Sequence, residues 1–64
     1  MKVKYDKEVD ILYVSLSDEV IVESDEEKKG IIIDYSAKGR VAGIEILNAS
    51  KQVGNPAKVE YEFV

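Results

Sequence analysis

The hydrophobic pattern of the chain is centred on Gly30–Leu47, where two apolar runs flank a polar stretch that ends in glycine. The first run, IIIDY, is rich in β-branched and aromatic residues, which favour strands because they pack well on a pleated surface. Residues 36–39 form a short connection, and Gly39 at its end suits a left-handed backbone. The segment therefore predicts a β-hairpin whose return strand is Arg40–Leu47.

Side chains alternate between the two faces of a strand, so a hairpin that pairs Ile33 near Ala42 has two distinct faces. One face is apolar and is expected to belong to the core; it holds Ile31, Ile33, Tyr35, Ala42, Ile44 and Ile46. The other face is mixed and carries two carboxylates; it holds Ile32, Asp34, Val41, Gly43, Glu45 and Leu47.

Alternating patterns upstream of the hairpin predict three further strands. The first two are Lys2–Tyr5 and Ile11–Ser17, and the Asp6 side chain between them suits an Asx-turn. A third strand begins at Val20 and continues into the acidic run Glu23–Glu27, which we interpret as a solvated strand end or loop.

Downstream of the hairpin, the pattern predicts a short helix and then a last strand. Asn48 is a good N-cap, Ala49–Val53 would be the helix, and Gly54 would be its C-cap. The alternation over Ala57–Val64 predicts a C-terminal strand.

We expect an α+β, mostly β fold: a single antiparallel β-meander sheet built from four or five of these candidate strands, with one short helix after the fourth strand of the sheet. We expect one small domain, residues 1–64, in which residues 54–64 extend a core formed by residues 1–53. The core candidates are the apolar residues on the inward side of the predicted strands, namely Val3, Leu12, Val14, Leu16, Ile31, Ile33, Ile44 and Ile46.

Composition limits the chemistry that is available. The chain has no cysteine and no histidine, which excludes disulfides and makes a zinc site improbable, so we expect no cofactor. The net charge of −4 argues against direct binding of nucleic acid. No apolar run is long enough for a membrane span or signal peptide, so the expected location is cytoplasmic.

Chain length favours self-association. The core of so small a domain supplies only about 3–5 kcal/mol of net stability, and two-fold dimers are the commonest soluble assembly. We therefore expect a homodimer formed through the sheet, in which Ile32, Val41 and Leu47 present an uncovered face. The segment Ala57–Val64 would add an edge that pairs with, or exchanges into, another chain.

Several short motifs resemble those of the YuzE-like family of domains of unknown function (family 2283). They are Tyr5-Asp6, Asp10 with Leu12-Tyr13 and Leu16-Ser17, Gly30 with Asp34, Gly39-Arg40, Gly43-Ile44-Glu45-Ile46-Leu47 and Ala49-Ser50. The resemblance covers about Met1 to Lys51 and implies a small antiparallel sheet with a helix after the GIEIL strand. It implies no established activity, although some members resemble the antitoxin partner of a small toxin. The chain departs from the family pattern at Lys7, where members often have proline. It departs again after Val53, where members often continue as helix.

Asp34 and Glu45 are the best candidate carboxylate pair, because both lie on the mixed face of the hairpin. Two close carboxylates can raise one pKa or bind a hard cation. The preferred interpretation is structural: Asp34 sets the turn region, and Glu45 pairs with Arg40 or a lysine. Gly43 allows close packing against a neighbour, or a bulge.

The tyrosines Tyr13, Tyr35 and Tyr61 are candidate interaction residues, because tyrosine is enriched in interfaces; the alternative is that they are partly buried sheet residues. The leading functional hypothesis is a non-enzymatic protein–protein interaction module, antitoxin-like, with a basic small protein as partner. The alternative is a small carboxylate-dependent enzyme that uses Asp34 and Glu45.

Overall fold

A computed structural model describes all 64 residues as one five-stranded antiparallel sheet with one short helix. The elements are β1 (Lys2–Asp6), β2 (Ile11–Ser15), β3 (Ile21–Lys28), β4 (Ile31–Ser36), β5 (Val41–Leu47) and α1 (Ala49–Gln52). The strand order in the sheet is β1-β2-β5-β4-β3. No helix is both long enough and apolar enough to cross a membrane.

The predicted fold class is confirmed, but the strand order is not that of a meander. β5 lies between β2 and β4, so β2 and β3 are not neighbours, and the helix follows the fifth strand rather than the fourth. The physical reason is the difference in polarity between β3 and β5. β3 is acidic and fully exposed, which suits the edge of a sheet. β5 is apolar and takes the centre, where Val14 faces Ile44 and Leu12 faces Ile46.

The strand register brings seven aliphatic residues together on one side of the sheet, which we call the apolar face. Val3 pairs with Val14, Val14 with Ile44, and Ile44 with Ile33, so these side chains point the same way. The apolar face consists of Val3, Leu12, Val14, Ile31, Ile33, Ile44 and Ile46. These are all the predicted core residues except Leu16, which follows the end of β2 and is exposed.

The apolar face is not covered by the rest of the chain. Only seven of the 64 residues are buried, and Leu12 is the only large apolar side chain among them. The helix has four residues, and only Ala49 in it is buried. The expected uncovered face was that of Ile32, Val41 and Leu47, but the face predicted to be the core is itself only partly buried.

Two local expectations hold and two fail. The Glu8 amide donates to Asp6 Oδ1 at 3.0 Å, which confirms the Asx-turn. Gly39 ends the β4–β5 turn with φ of 77°, as predicted. Asn48 occupies the N-cap position, but its φ is 51° and its side chain caps no backbone amide. The C-cap residue is Val53 rather than Gly54.

The segment Ala57–Val64 forms no strand within the single chain. Every residue in it is exposed; Val59 and Tyr61 lie beside Met1 and Val3 at the β1 edge. Its alternation is therefore not used for pairing inside this sheet, and strand formation with another chain stays a prediction.

Candidate functional site

A polar row crosses four strands on the side of the sheet opposite the apolar face. The Tyr13 hydroxyl on β2 donates to Asp34 Oδ2 on β4 at 3.0 Å. The Ser24 hydroxyl on β3 donates to Asp34 Oδ1 at 2.6 Å. Both oxygens of the Asp34 carboxylate therefore accept a hydrogen bond. Asp34, on β4, thus links the edge strand β3 to the inner strand β2.

Gly43 on β5 makes room for this row. Asp34 pairs directly with Gly43, so the Tyr13 side chain has to pass over the glycine to reach the carboxylate. A Cβ atom at this position would lie 2.9 Å from Tyr13 Cζ, 3.1 Å from Asp34 Oδ2 and closer still to the Tyr13 hydroxyl. The prediction that Gly43 permits close packing is confirmed, and a register shift next to it leaves Ala42 without a partner on β4.

Asp34 is 7% exposed, although it is an acid. A buried carboxylate costs free energy unless it is hydrogen-bonded, so the two hydroxyl donors are what allow it to stay there. Burial raises the pKa of Tyr13, and the hydrogen bond to Asp34 and the negative charges of Asp34 and Glu45 raise it further. Tyr13 is therefore a neutral donor at neutral pH rather than an acid.

Glu45 lies on the same side of the sheet as Asp34, as predicted from alternation. It pairs with Ile32 across β4 and with Tyr13 across β2. The expectation that it forms an ion pair with Arg40 or a lysine is wrong. Arg40 instead approaches Glu19 at 3.8 Å, because the connection from β2 to β3 passes the same end of the sheet as the β4–β5 turn.

A second polar cluster fixes the helix to the turn between β1 and β2. The Asp10 Oδ1 atom accepts from the Ser50 amide at 3.0 Å and from the Tyr5 hydroxyl at 2.7 Å. Its Oδ2 atom accepts from the Ser50 hydroxyl at 2.6 Å, and the Asp10 carbonyl accepts from the Ala49 amide at 2.9 Å. Asp10 thus performs the N-cap function that the sequence assigned to Asn48.

This arrangement changes the acidity of both side chains in the cluster. The Ser50 hydroxyl, followed by the Tyr5 hydroxyl, stabilises the Asp10 carboxylate and lowers its pKa. The same bond to Asp10 is the largest cause of a raised pKa at Tyr5. Asp10 has φ of 57°, a left-handed backbone that directs its carbonyl and carboxylate together at the helix.

The two remaining candidate tyrosines lie apart from both clusters. Tyr35 is on β4 opposite Glu23, and its hydroxyl donates to Glu27 Oε1 at 3.3 Å. Burial is the largest cause of its raised pKa, followed by the charge of Glu27. Tyr61 is 76% exposed in the C-terminal segment. The six predicted site residues therefore do not form one site; only Tyr13, Asp34 and Glu45 come together.

The motifs of the two clusters fall within the residues that match a known family. A family model described as protein of unknown function (DUF2283) matches residues 2–50. The chain belongs to the DUF2283 family. The DUF2283 match covers all five strands and both polar clusters but ends before the C-terminal segment. No curated protein and no solved structure matches the chain.

Two residues of these DUF2283 clusters were not identified as functional by sequence reasoning. Ser24 stands in the acidic run of β3, and its role depends on pairing opposite Asp34. Asp10 belongs to the family motif, but its role depends on Ser50, which is forty positions away. No group of three or more potential metal ligands is present in the structure.

Proposed function

We propose that the protein is a non-enzymatic protein–protein interaction module. The observation that carries this proposal is the open apolar face, in which Val3 is exposed and five further aliphatic side chains beside Leu12 are only half-buried. Contiguous exposed apolar surface of this kind usually marks a contact site. Another protein can supply the cover that the four-residue helix does not.

The geometry of Asp34 supports this proposal over a carboxylate-dependent enzyme. A general base needs a carboxylate oxygen within reach of substrate, but both Asp34 oxygens already accept hydrogen bonds from Tyr13 and Ser24. The Tyr13 ring passes over Gly43, which lies on β5 directly opposite Asp34. The row is therefore suited to fixing strands together, and Glu45 alone does not make a pair for acid–base work.

The acidic surface favours a basic partner, as an antitoxin-like module would have. β3 is an exposed edge strand with four carboxylates, Glu23, Asp25, Glu26 and Glu27, and neither ion pair in the structure involves them. A surface of one charge attracts an oppositely charged protein over several ångströms and increases the association rate. In this proposal, the acidic surface increases the association rate, and the apolar face stabilises the complex once it has formed.

The test is co-expression of the full chain with small basic proteins encoded by neighbouring genes. We expect one of them to copurify in a fixed ratio. Ile33→Lys, on the apolar face, should weaken that complex at least tenfold, whereas Ile32→Lys, the adjacent position on the opposite side, should not. The proposal would be refuted if no complex forms, either with a basic protein or between copies of the chain, or if the complex that forms is insensitive to Ile33→Lys.

The charge argument has a separate control in the same complex. Glu23→Gln with Asp25→Asn should reduce the association rate several-fold at low salt. Glu8→Gln with Asp18→Asn removes the same charge from turns outside β3 and should reduce it less. Equal effects would show that net charge alone matters.

The enzyme alternative makes a different prediction. Turnover in a panel of hydrolase substrates that disappears in Asp34→Asn, with the fold retained, would favour it. We expect no turnover of these substrates by the native protein or by the Asp34→Asn variant.

A further inference from the structure

We propose that a second copy of this chain covers the apolar face, so that two sheets stack face to face in a two-fold dimer. This inference rests on the proposed function and names the partner that occupies the face. The argument uses the chemistry of the face, the area it offers and the position of the C-terminal segment.

The chemistry of the face matches that of a second copy. Its central residues, Leu12, Val14, Ile31, Ile33, Ile44 and Ile46, are all aliphatic and carry no charge. Stacking two such faces places aliphatic side chains against aliphatic side chains. The carboxylates on the same side, Glu23 and Asp25, belong to the edge strand β3 and can stay hydrated at the rim. Branched side chains from two sheets interdigitate at a spacing of about 10 Å.

A second copy also meets a need that a temporary partner does not. With Leu12 as the only large buried apolar side chain, the single chain lacks a closed core. Chains this short commonly rely on disulfides, metals or oligomerisation, and this one has no cysteine or histidine. The cover has to be present whenever the protein is folded, and a second copy is always available in equal amount.

The area of the sheet alone is small for a stable dimer. The apolar face spans four strands, β1, β2, β5 and β4. At a spacing of about 4.8 Å, with about five residues each, they make a face of roughly 320 Å². Two stacked faces then remove at least about 650 Å², below the ~1,000 Å² that a specific interface usually exceeds. Further apolar surface is therefore needed.

The C-terminal segment supplies that surface. Val59 and Tyr61 lie beside Met1 and Val3, which places the segment at the rim of the apolar face along β1. Tyr61 is 76% exposed and Phe63 is 90% exposed. An aromatic side chain buries about 150–250 Å², so four of them, two from each chain, raise the total to at least about 1,250 Å². This value lies within the range of standard interfaces.

The test is sedimentation of the full chain from low to high micromolar concentration. We expect a species of twice the 7.2 kDa chain mass. Ile44→Lys places a charge in the middle of the apolar face and should weaken the dimer at least a hundredfold. Ile32→Lys is the matched control, because its ammonium group lies on the other side of the sheet, directly opposite Glu45. It should remain dimeric, and circular dichroism should show that both variants are folded.

A measurement on the unmodified chain covers the case in which Ile44→Lys does not fold. In a mixture of isotope-labelled and unlabelled chains, filtered nuclear Overhauser spectra should show contacts between chains at Ile44 and Val14 methyl groups. Contacts at Ile32 instead would overturn the proposal, because they would place the dimer on the opposite side. A chain that sediments as a monomer at high micromolar concentration would overturn it as well.

The failure of this inference is distinguishable from the failure of the proposed function. If the chain is monomeric but a basic partner binds and Ile33→Lys abolishes that binding, a different protein covers the face. The dimer is then wrong, and the interaction module stands. If the chain is monomeric and no partner binds, both are wrong.

Discussion

Gly43 is the position at which one added methyl group should have the largest predictable effect. In Gly43→Ala, the new Cβ would lie 2.9 Å from Tyr13 Cζ and closer still to the hydroxyl. The tyrosine ring has to move away, and in doing so it loses its 3.0 Å hydrogen bond to Asp34. Asp34 would then keep Ser24 as its only remaining donor while it stays almost fully buried.

The expected magnitude follows from two contributions to the free energy of unfolding. Loss of a hydrogen bond to a charged group costs about 1.5–3 kcal/mol. Replacing glycine by alanine inside a strand returns about 0.5–1 kcal/mol through backbone entropy. The net loss is therefore about 0.5–2.5 kcal/mol, and each kcal/mol lowers the Tm of a domain this small by about 4–8 °C.

The assay is urea unfolding followed by circular dichroism at one fixed chain concentration, because self-association changes apparent stability. A cycle with Tyr13→Phe isolates the contact: without the hydroxyl, the ring is no longer tethered and can yield. Gly43→Ala should then cost at least about 1 kcal/mol less than in the native background. Gly54→Ala is the control and should be neutral, because a Cβ there meets no atom within 4 Å. A neutral Gly43→Ala, or strictly additive costs, would refute the reasoning.

Three other predictions concern acid, alkali and the C-terminal segment. The pKa of Asp10 lies below its ordinary 3.8, so its stabilising effect is present above that value and is lost as the pH falls through the folded pKa; Asp10→Asn should flatten the acid limb of a plot of Tm against pH, and an unchanged limb would contradict this. The pKa of Tyr13 lies above 10.0, so its effect is present below pH 10 and is lost as the pH rises through the raised folded value; Tyr13→Phe should flatten the alkaline limb. Deletion of Ala57–Val64 should weaken dimerisation at least tenfold in sedimentation, and equally tight dimers would rule out a contribution from this segment.

The division of the sheet into two faces could be predicted because it depends only on alternation along each strand. Ile33 pairs with Ile44 rather than with Ala42, so the predicted register is wrong by two residues. An error of two residues keeps every side chain on its predicted side of the sheet, because side chains alternate with a period of two. Local turn chemistry was equally accessible, since Asp6 and Gly39 act on backbone within a few residues. The close packing at Gly43 also followed from its position inside a strand.

The strand order and the helix cap could not be predicted from local patterns. A pattern shows that β3 and β5 are strands but not which of them pairs with β2; the acidic composition of β3 was the signal for an edge, and it was interpreted only as solvation. Asn48 has the residue type of an N-cap, but Asp10 is held against the helix by the turn between β1 and β2. Such a contact depends on how distant segments meet in space.

The position of β5 between β2 and β4 also determines the order in which the sheet can be completed. The β1–β2 hairpin and the β3–β4–β5 unit are each formed by neighbouring segments, whereas β2 and β5 are separated by roughly half the chain. Pairing them closes the largest loop in the molecule, and loop closure of this kind slows folding. On the ribosome, the β1–β2 hairpin can form early. It can join the rest of the sheet only after the β5 strand has emerged, because β2 pairs with β5. Until then, β2 has one unpaired edge, and the helix that Asp10 caps has not yet been made.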